Sequence, residues 1–170
     1  VNDNYNWDTS AMQPIDVDKK YHFFNPRAGI HYTLADRHNF YASFAVAQKE
    51  PTRSDFTDRY MFSGDNSYPS SEKLYDYELG YRYDTPKFSA GVNLYYMKYK
   101  DQLVATGMVN DGDDALNTNV EDSYRRGIEL SAQWKAPGWF TLSGHATFSQ
   151  NRIEDYVDAL KDSPTFGQNL

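Results

Sequence analysis

Tyr75-Asp76-Tyr77-Glu78-Leu79-Gly80-Tyr81-Arg82-Tyr83 sets an aromatic or aliphatic residue at every second position and a charged or small one between. A period of two is the pattern of a β-strand with one apolar and one polar face. Five further stretches repeat it. Their apolar positions are Phe24, Pro26, Ala28, Ile30, Tyr32 and Leu34; Phe40, Ala42, Phe44 and Val46; Phe88, Ala90, Val92, Leu94 and Tyr96; Tyr124, Ile128, Leu130, Ala132 and Trp134; and Phe140, Leu142, Gly144, Ala146 and Phe148. The intervening positions carry Arg27, His31, Asp76, Glu78, Arg82, Arg125, Glu129 and His145 among Ser, Thr, Asn and Gly. Charges of this kind are costly to bury without partners. The six strands are therefore expected to meet water on one side and an apolar medium on the other.

The connections identify that medium. Short polar links at Ala35–His38, Asp84–Lys87 and Ala136–Gly138 alternate strictly with long ones at Glu50–Lys73, Ala105–Asp122 and from Gln150 onward. Long structureless loops are uncommon in compact domains and have no reason to gather at one end of a sheet. A transmembrane β-barrel supplies the reason, with short periplasmic turns and long extracellular loops. Tyr32, Phe40, Tyr83, Phe88, Trp134 and Phe140 sit beside the short turns. Phe24, Tyr75, Tyr96 and Phe148 lie eight positions away on their own strands, and Tyr124 lies ten away. At about 3.3 Å per residue and a tilt of roughly 40°, eight positions rise roughly 20 Å, close to the roughly 25 Å apolar band between two aromatic girdles. Phe44 on the second strand falls outside this spacing. The expected fold is thus all-β, an antiparallel transmembrane barrel segment of six strands. The competing architecture is a soluble extracellular β-sandwich that binds carbohydrate or protein, whose inner face would favour aliphatic residues in the middle over rings at the ends.

Composition narrows the partners. The 170 residues carry 17 Lys and Arg against 24 Asp and Glu, a net charge of −7 with no basic concentration along the chain, which argues against nucleic acid. The absence of cysteine excludes disulfides and thiolate metal sites. Six strands are fewer than the eight from which outer-membrane barrels begin. The polar opening Val1–Lys19 and the ending Gln168-Asn169-Leu170 suggest that residues 1–170 are part of a barrel, with neither a plug nor a closing strand.

No enzyme signature is present: there is no G-x-S-x-G, H-E-x-x-H, P-loop or Rossmann fingerprint, and no catalytic, cofactor or metal residue is assigned. Asp111, Asp113 and Asp114 lack the glycine and flanking helices of an EF-hand and read as a solvated loop tip. Rings and a cation in the first long connection, Arg53, Phe56, Tyr60, Phe62 and Tyr68, are candidates for ligand contact. On the polar face Arg27, Asp76, Glu78, Arg82, Arg125 and Glu129 are candidates for lining a wet interior. Mutual ion pairing would satisfy them there, with contact to a substrate or plug as the alternative.

Specific segments add to the pattern. Phe24-Asn25-Pro26-Arg27-Ala28-Gly29, Tyr41-Ala42-Ser43-Phe44-Ala45 running on to Glu50-Pro51-Thr52-Arg53, and Ser71-Glu72 with Tyr77-Glu78-Leu79-Gly80 resemble successive strands of TonB-dependent outer-membrane receptors. Tyr95-Tyr96-Met97-Lys98-Tyr99-Lys100-Asp101-Gln102-Leu103 and Ser123-Tyr124-Arg125-Arg126-Gly127-Ile128-Glu129-Leu130 are similar to the strands that follow. The resemblance covers roughly Tyr21 to Ile153. It implies a plugged barrel of about 22 strands that sits in outer-membrane lipid of a bacterium. It further implies import of a scarce small nutrient, such as a ferric siderophore, haem, cobalamin or a glycan. The energy would reach it through the TonB complex and a plug domain outside this chain.

Overall fold

A computed structural model describes residues 19–56, 69–109 and 115–154. Six strands, β1 (Arg27–Leu34), β2 (His38–Lys49), β3 (Glu72–Asp84), β4 (Phe88–Val109), β5 (Ala115–Lys135) and β6 (Thr141–Ile153), follow one another in the chain. They form one antiparallel sheet in the order β1-β2-β3-β4-β5-β6. Pairing continues past the start of β1, where the Val46 N–H donates to the Pro26 carbonyl at 2.9 Å. Over the span the six strands share, each interior strand is paired on both sides, as a membrane wall requires.

The register keeps the two faces apart across all six strands. Ile30 pairs with Ala42, Ala42 with Leu79, Leu79 with Leu94, Leu94 with Ile128 and Ile128 with Phe148. One residue along, Ser43, Glu78, Tyr95 and Gly127 form the matching row of the opposite face. A slip of one residue in β3 or β5 would turn Asp76, Glu78 and Arg82, or Arg125 and Glu129, onto the apolar face, which is why alternation disfavours it.

Nothing among the described residues packs against the apolar face. Ile30 (70% exposed), Leu79 (56%) and Phe148 (66%) lie open at its centre. A sandwich would cover these side chains with a second sheet; all six strands belong to one sheet, and the sandwich reading fails. The rings form two belts. Phe40 contacts Tyr81 with centroids 4.9 Å apart near the short turns, and Phe44, Tyr77, Tyr96 and Tyr124 form a continuous ribbon at 4.9, 6.3 and 6.2 Å nearer the long connections. Phe44 thus joins the outer belt despite its spacing within β2, because the register aligns it with Tyr77.

The Ala105–Asp122 segment, expected as a loop, is mostly strand. β4 continues to Val109 and β5 begins at Ala115, so the two strands run on as a ribbon well past the other four. An irregularity in the pairing between Ala105 and Val109 accompanies Gly107, whose φ of 84° a side chain would resist. In the Glu50–Lys73 connection, residues 53–56 form a helical turn.

Candidate functional site

Two regions could meet a ligand: the polar face of the sheet and the outer ends of the strands. On the polar face the alternation brings Arg27, Asp76, Glu78, Arg82, Arg125 and Glu129 to one side. The expected mutual pairing is absent: none of these residues forms an ion pair with another of the set. Arg82 instead holds Asp84 of its own strand at 3.0 Å. The Arg125 guanidinium lies over the Tyr99 ring, 5.4 Å from its centroid, and Glu129 accepts from the Asn93 amide at 3.2 Å. One Asp76 carboxylate oxygen is buried without a hydrogen-bond partner. Asp76 shares its row with Arg27 and Arg125, but a whole strand separates it from each, with Ala45 and Met97 in the gaps, and elsewhere neutral neighbours take the hydrogen bonds.

Tyr41 and Tyr95 reach sideways over glycines of the adjacent strands. A Cβ at Gly80 would overlap the Tyr41 ring, and one at Gly127 would lie 2.6 Å from both the Tyr95 hydroxyl and the Phe148 carbonyl. The glycines thus leave the space in which two large rings lie against the wall. Tyr41, Arg82, Asn93, Glu129, Ser131 and His145 line an open recess of about 440 Å³. Its hydroxyl, amide, carboxylate and guanidinium groups suit a polar, hydrated guest. Among the described residues no group of three His, Asp or Glu side chains is arranged to hold a metal ion.

At the outer end, Arg53 and Phe56 open and close the helical turn of residues 53–56, while Tyr60, Phe62, Tyr68 and the acidic run at Asp111–Asp114 lie outside the described residues. The residues that organise this end are others. Asp55 is buried and accepts from the Thr52 N–H at 2.7 Å, the Thr52 hydroxyl at 2.6 Å and the Asn117 amide at 2.9 Å. Burial pushes its carboxyl up, but the Thr52 hydroxyl, Asn117 amide and Thr52 N–H, with the charge of Lys49, outweigh that and hold it below the usual aspartate range. Asn119 acts as a second clip: its oxygen accepts from the Ser70 N–H at 2.9 Å, and its amide donates to the carbonyls of Ser70 (3.1 Å) and Asp101 (2.7 Å). Both ends of the β2–β3 connection are therefore tied to β5. Thr52 followed three residues later by an acid is a helix-start signal legible in sequence; the partnership with Asn117, 62 residues away, is not.

A single twisted wall, greased and double-girdled on one side and polar on the other, defines a stretch of outer-membrane β-barrel. The chain belongs to the TonB-dependent receptor-like β-barrel family, whose model matches residues 2–170. Over 82 residues it is 34% identical to the pesticin receptor of Yersinia enterocolitica, an alignment covering 47% of this chain and 12% of that receptor. Among solved structures it is similar to the copper transporter OprC, with a TM-score of 0.63 at 20% identity over 78% of this chain and 21% of OprC. It is also similar to the siderophore receptor PirA from Pseudomonas aeruginosa, with a TM-score of 0.60 at 17% identity over 76% of this chain and 25% of PirA. The FrpB iron transporter from Neisseria meningitidis gives 0.58 at 20% identity, over 80% and 21% of the two chains. These structural likenesses show the fold. The chain spans a fifth to a quarter of the solved proteins it matches. Members of this family reside in the bacterial outer membrane and are receptors and transporters rather than enzymes.

Proposed function

We propose that the chain forms six consecutive wall strands of a receptor that takes up a scarce nutrient across the outer membrane. The observation that carries this reading is the six-strand register, which delivers one face apolar through the middle of the sheet and one polar face to a chain matched from residue 2 to 170 by the receptor-barrel family. In this reading the apolar face meets lipid, and Arg27, Asp76, Glu78, Arg82, Arg125 and Glu129 face the lumen. The short turns lie in the periplasm, and the β4–β5 ribbon stands outside the cell. Arg53 and Phe56, presented by the clipped helical turn, offer first contacts to the ligand, together with Tyr60, Phe62 and Tyr68.

The reaction is transport without covalent chemistry: capture at the outer loops, then passage along the polar wall when TonB draws on a plug. The similar solved proteins, a copper transporter, an iron transporter and a siderophore receptor, favour a metal ion or metal chelate as cargo over a glycan. The test is uptake of radiolabelled ferric chelates, Cu(II) and haem by cells with and without the intact receptor. Loss of one uptake on deletion, matched by its loss in cells lacking TonB, is the expected result. Unchanged uptake and growth on all of them would contradict the metal-cargo reading.

A further inference from the structure

The apolar face is not uniformly apolar. Every Lys or Arg that shares its alternation in β1 to β6 stands at the long-connection end: Lys73, Lys98, Lys100, Arg126 and Arg152. The register sets them side by side, with Lys73 opposite Lys100, Lys98 opposite Tyr124, Tyr96 opposite Arg126 and Tyr124 opposite Arg152. The strands are sheared, as the short turns show. Tyr83 and Ala132 lie in one row with Leu34, yet β3 ends one residue past that row, at Asp84, and β5 three residues past it, at Lys135. A line of constant height therefore steps inward along the chain from β3 to β6. It runs from Lys73 between Lys98 and Lys100 towards Arg126 and Arg152, so the five cations form one belt.

The belt rests on the outer aromatic girdle. The Lys73 ammonium sits over the Tyr75 ring at 5.0 Å, and the Arg126 guanidinium over the Tyr124 ring at 5.3 Å. Lys98 and Lys100 share a single carboxylate, Asp122, at 3.3 and 2.6 Å, which leaves this trio with a positive charge. Beneath the two ammoniums Tyr75, Tyr77 and Tyr96 floor a shallow recess of about 420 Å³. Aromatic girdles lie at headgroup level, so charges seated among the rings, as Arg126 is, or just outside them, as Lys73 and Lys100 are, meet headgroups, and cations there attract anionic ones. The cluster stands out on a chain of net charge −7.

We infer that this belt binds phosphate-bearing lipid headgroups of the outer leaflet, with the tyrosine-floored recess holding the apolar root of the lipid beneath the phosphates. The inference rests on the lipid-facing assignment above. The test uses the full receptor, delipidated in detergent, with bisphosphorylated lipid A and its phosphate-free counterpart compared by native mass spectrometry. The expected result is preferential retention of the phosphorylated form by at least about tenfold, as several interfacial cations would give, and no displacement by excess inorganic phosphate. Combined Lys73→Gln, Lys98→Gln, Arg126→Gln and Arg152→Gln should abolish the preference, while Arg82→Gln with Arg125→Gln on the opposite face should leave it intact. Equal retention of the two lipids by the wild-type receptor overturns the proposal without recourse to any variant. Displacement by inorganic phosphate overturns it in favour of a free-anion site, and an unchanged preference in the fourfold variant removes the belt from the explanation. A receptor that transports normally but fails these tests refutes only the lipid belt, whereas failure of the chain to insert into membranes refutes the reading beneath it.

Discussion

The inner and outer halves of β4 and β5 follow different rules. In the inner halves the large apolar side chains are uncovered: Leu94, Ile128 and Leu130 are each more than 40% exposed, and Trp134 reaches 47%. In the outer halves the same two strands bury Tyr99, Leu116 and Val120 to between 6% and 8%, and hydrogen bonds of Asn117 with Asp55 and of Asn119 with Ser70 draw the β2–β3 connection onto the ribbon. The inner half leaves its apolar surface to lipid, and the outer half builds a small core of its own as a water-exposed protein must. One strand pair thus passes from one solvent to another, and the basic belt marks the crossing.

The largest expected effect breaks the inner half. Leu94→Arg or Leu130→Arg, at the middle of the apolar stripe, should cost roughly 2–4 kcal/mol in the folded barrel, while Ser131→Arg on the polar face should cost far less. Denaturant titration of the receptor in lipid vesicles checks this, and equal costs at positions 130 and 131 would end the membrane assignment. Gly80→Val should cost about 1–3 kcal/mol through overpacking against the Tyr41 ring. Tyr41→Ser should restore much of that loss. Gly127→Val should not be rescued by truncating Tyr95 alone, because the Phe148 carbonyl, a backbone atom, also stands 2.6 Å from the added Cβ.

The outer half breaks locally. Asp55→Ala should remove about 1–2 kcal/mol of protection from the 53–56 turn, the scale of a lost helix cap, and leave the melting of the sheet unchanged. Hydrogen exchange resolved to this segment measures it. The Asp55 carboxyl is held below its ordinary value, so its contribution is complete above the unfolded aspartate pKa of about 3.9 and is lost as pH falls through the lower folded value. Protection of the turn, taken relative to the intrinsic exchange rate at each pH, should therefore hold from neutral pH down to the ordinary aspartate range and fall only below it. The smallest effect concerns Arg82 and Asp84, an ion pair whose side chains are 63% and 37% exposed. Arg82→Gln should not shift stability measurably, since exposed pairs contribute little.

The two halves were also unequally legible in the sequence. Strict alternation from Phe24 to Leu34 and from Tyr75 to Tyr83 defines strand and face and excludes any one-residue slip in register, because such a slip turns the apolar side chains to the polar face. The extension of β4 and β5 escaped because Asn117, Asn119 and Gly107 are residues common in turns, here serving as loop clips and a kink within a ribbon. Phe44 looked misplaced for a related reason: belts form between strands, and its position relative to Tyr77 is a matter of register that spacing along one strand cannot carry. The polar-face charges were found, but their partners were not. Arg82 with Asp84 and Arg125 over Tyr99 depend on rotamers and tilt, which alternation leaves open.

The two-solvent account is tested most directly by single-cysteine variants at adjacent positions of β4 and β5, Asn93 with Leu94 and Leu130 with Ser131, in a chain that has no cysteine of its own. Each is labelled with an environment-sensitive fluorophore in the vesicle-embedded receptor and exposed in turn to brominated lipid and to aqueous iodide. Labels at positions 94 and 130 should be quenched by bromolipid and spared by iodide, and labels at 93 and 131 should show the reverse. Quenching that fails to alternate between neighbours, or iodide reaching positions 94 and 130, would contradict a wall with lipid on one face and water on the other.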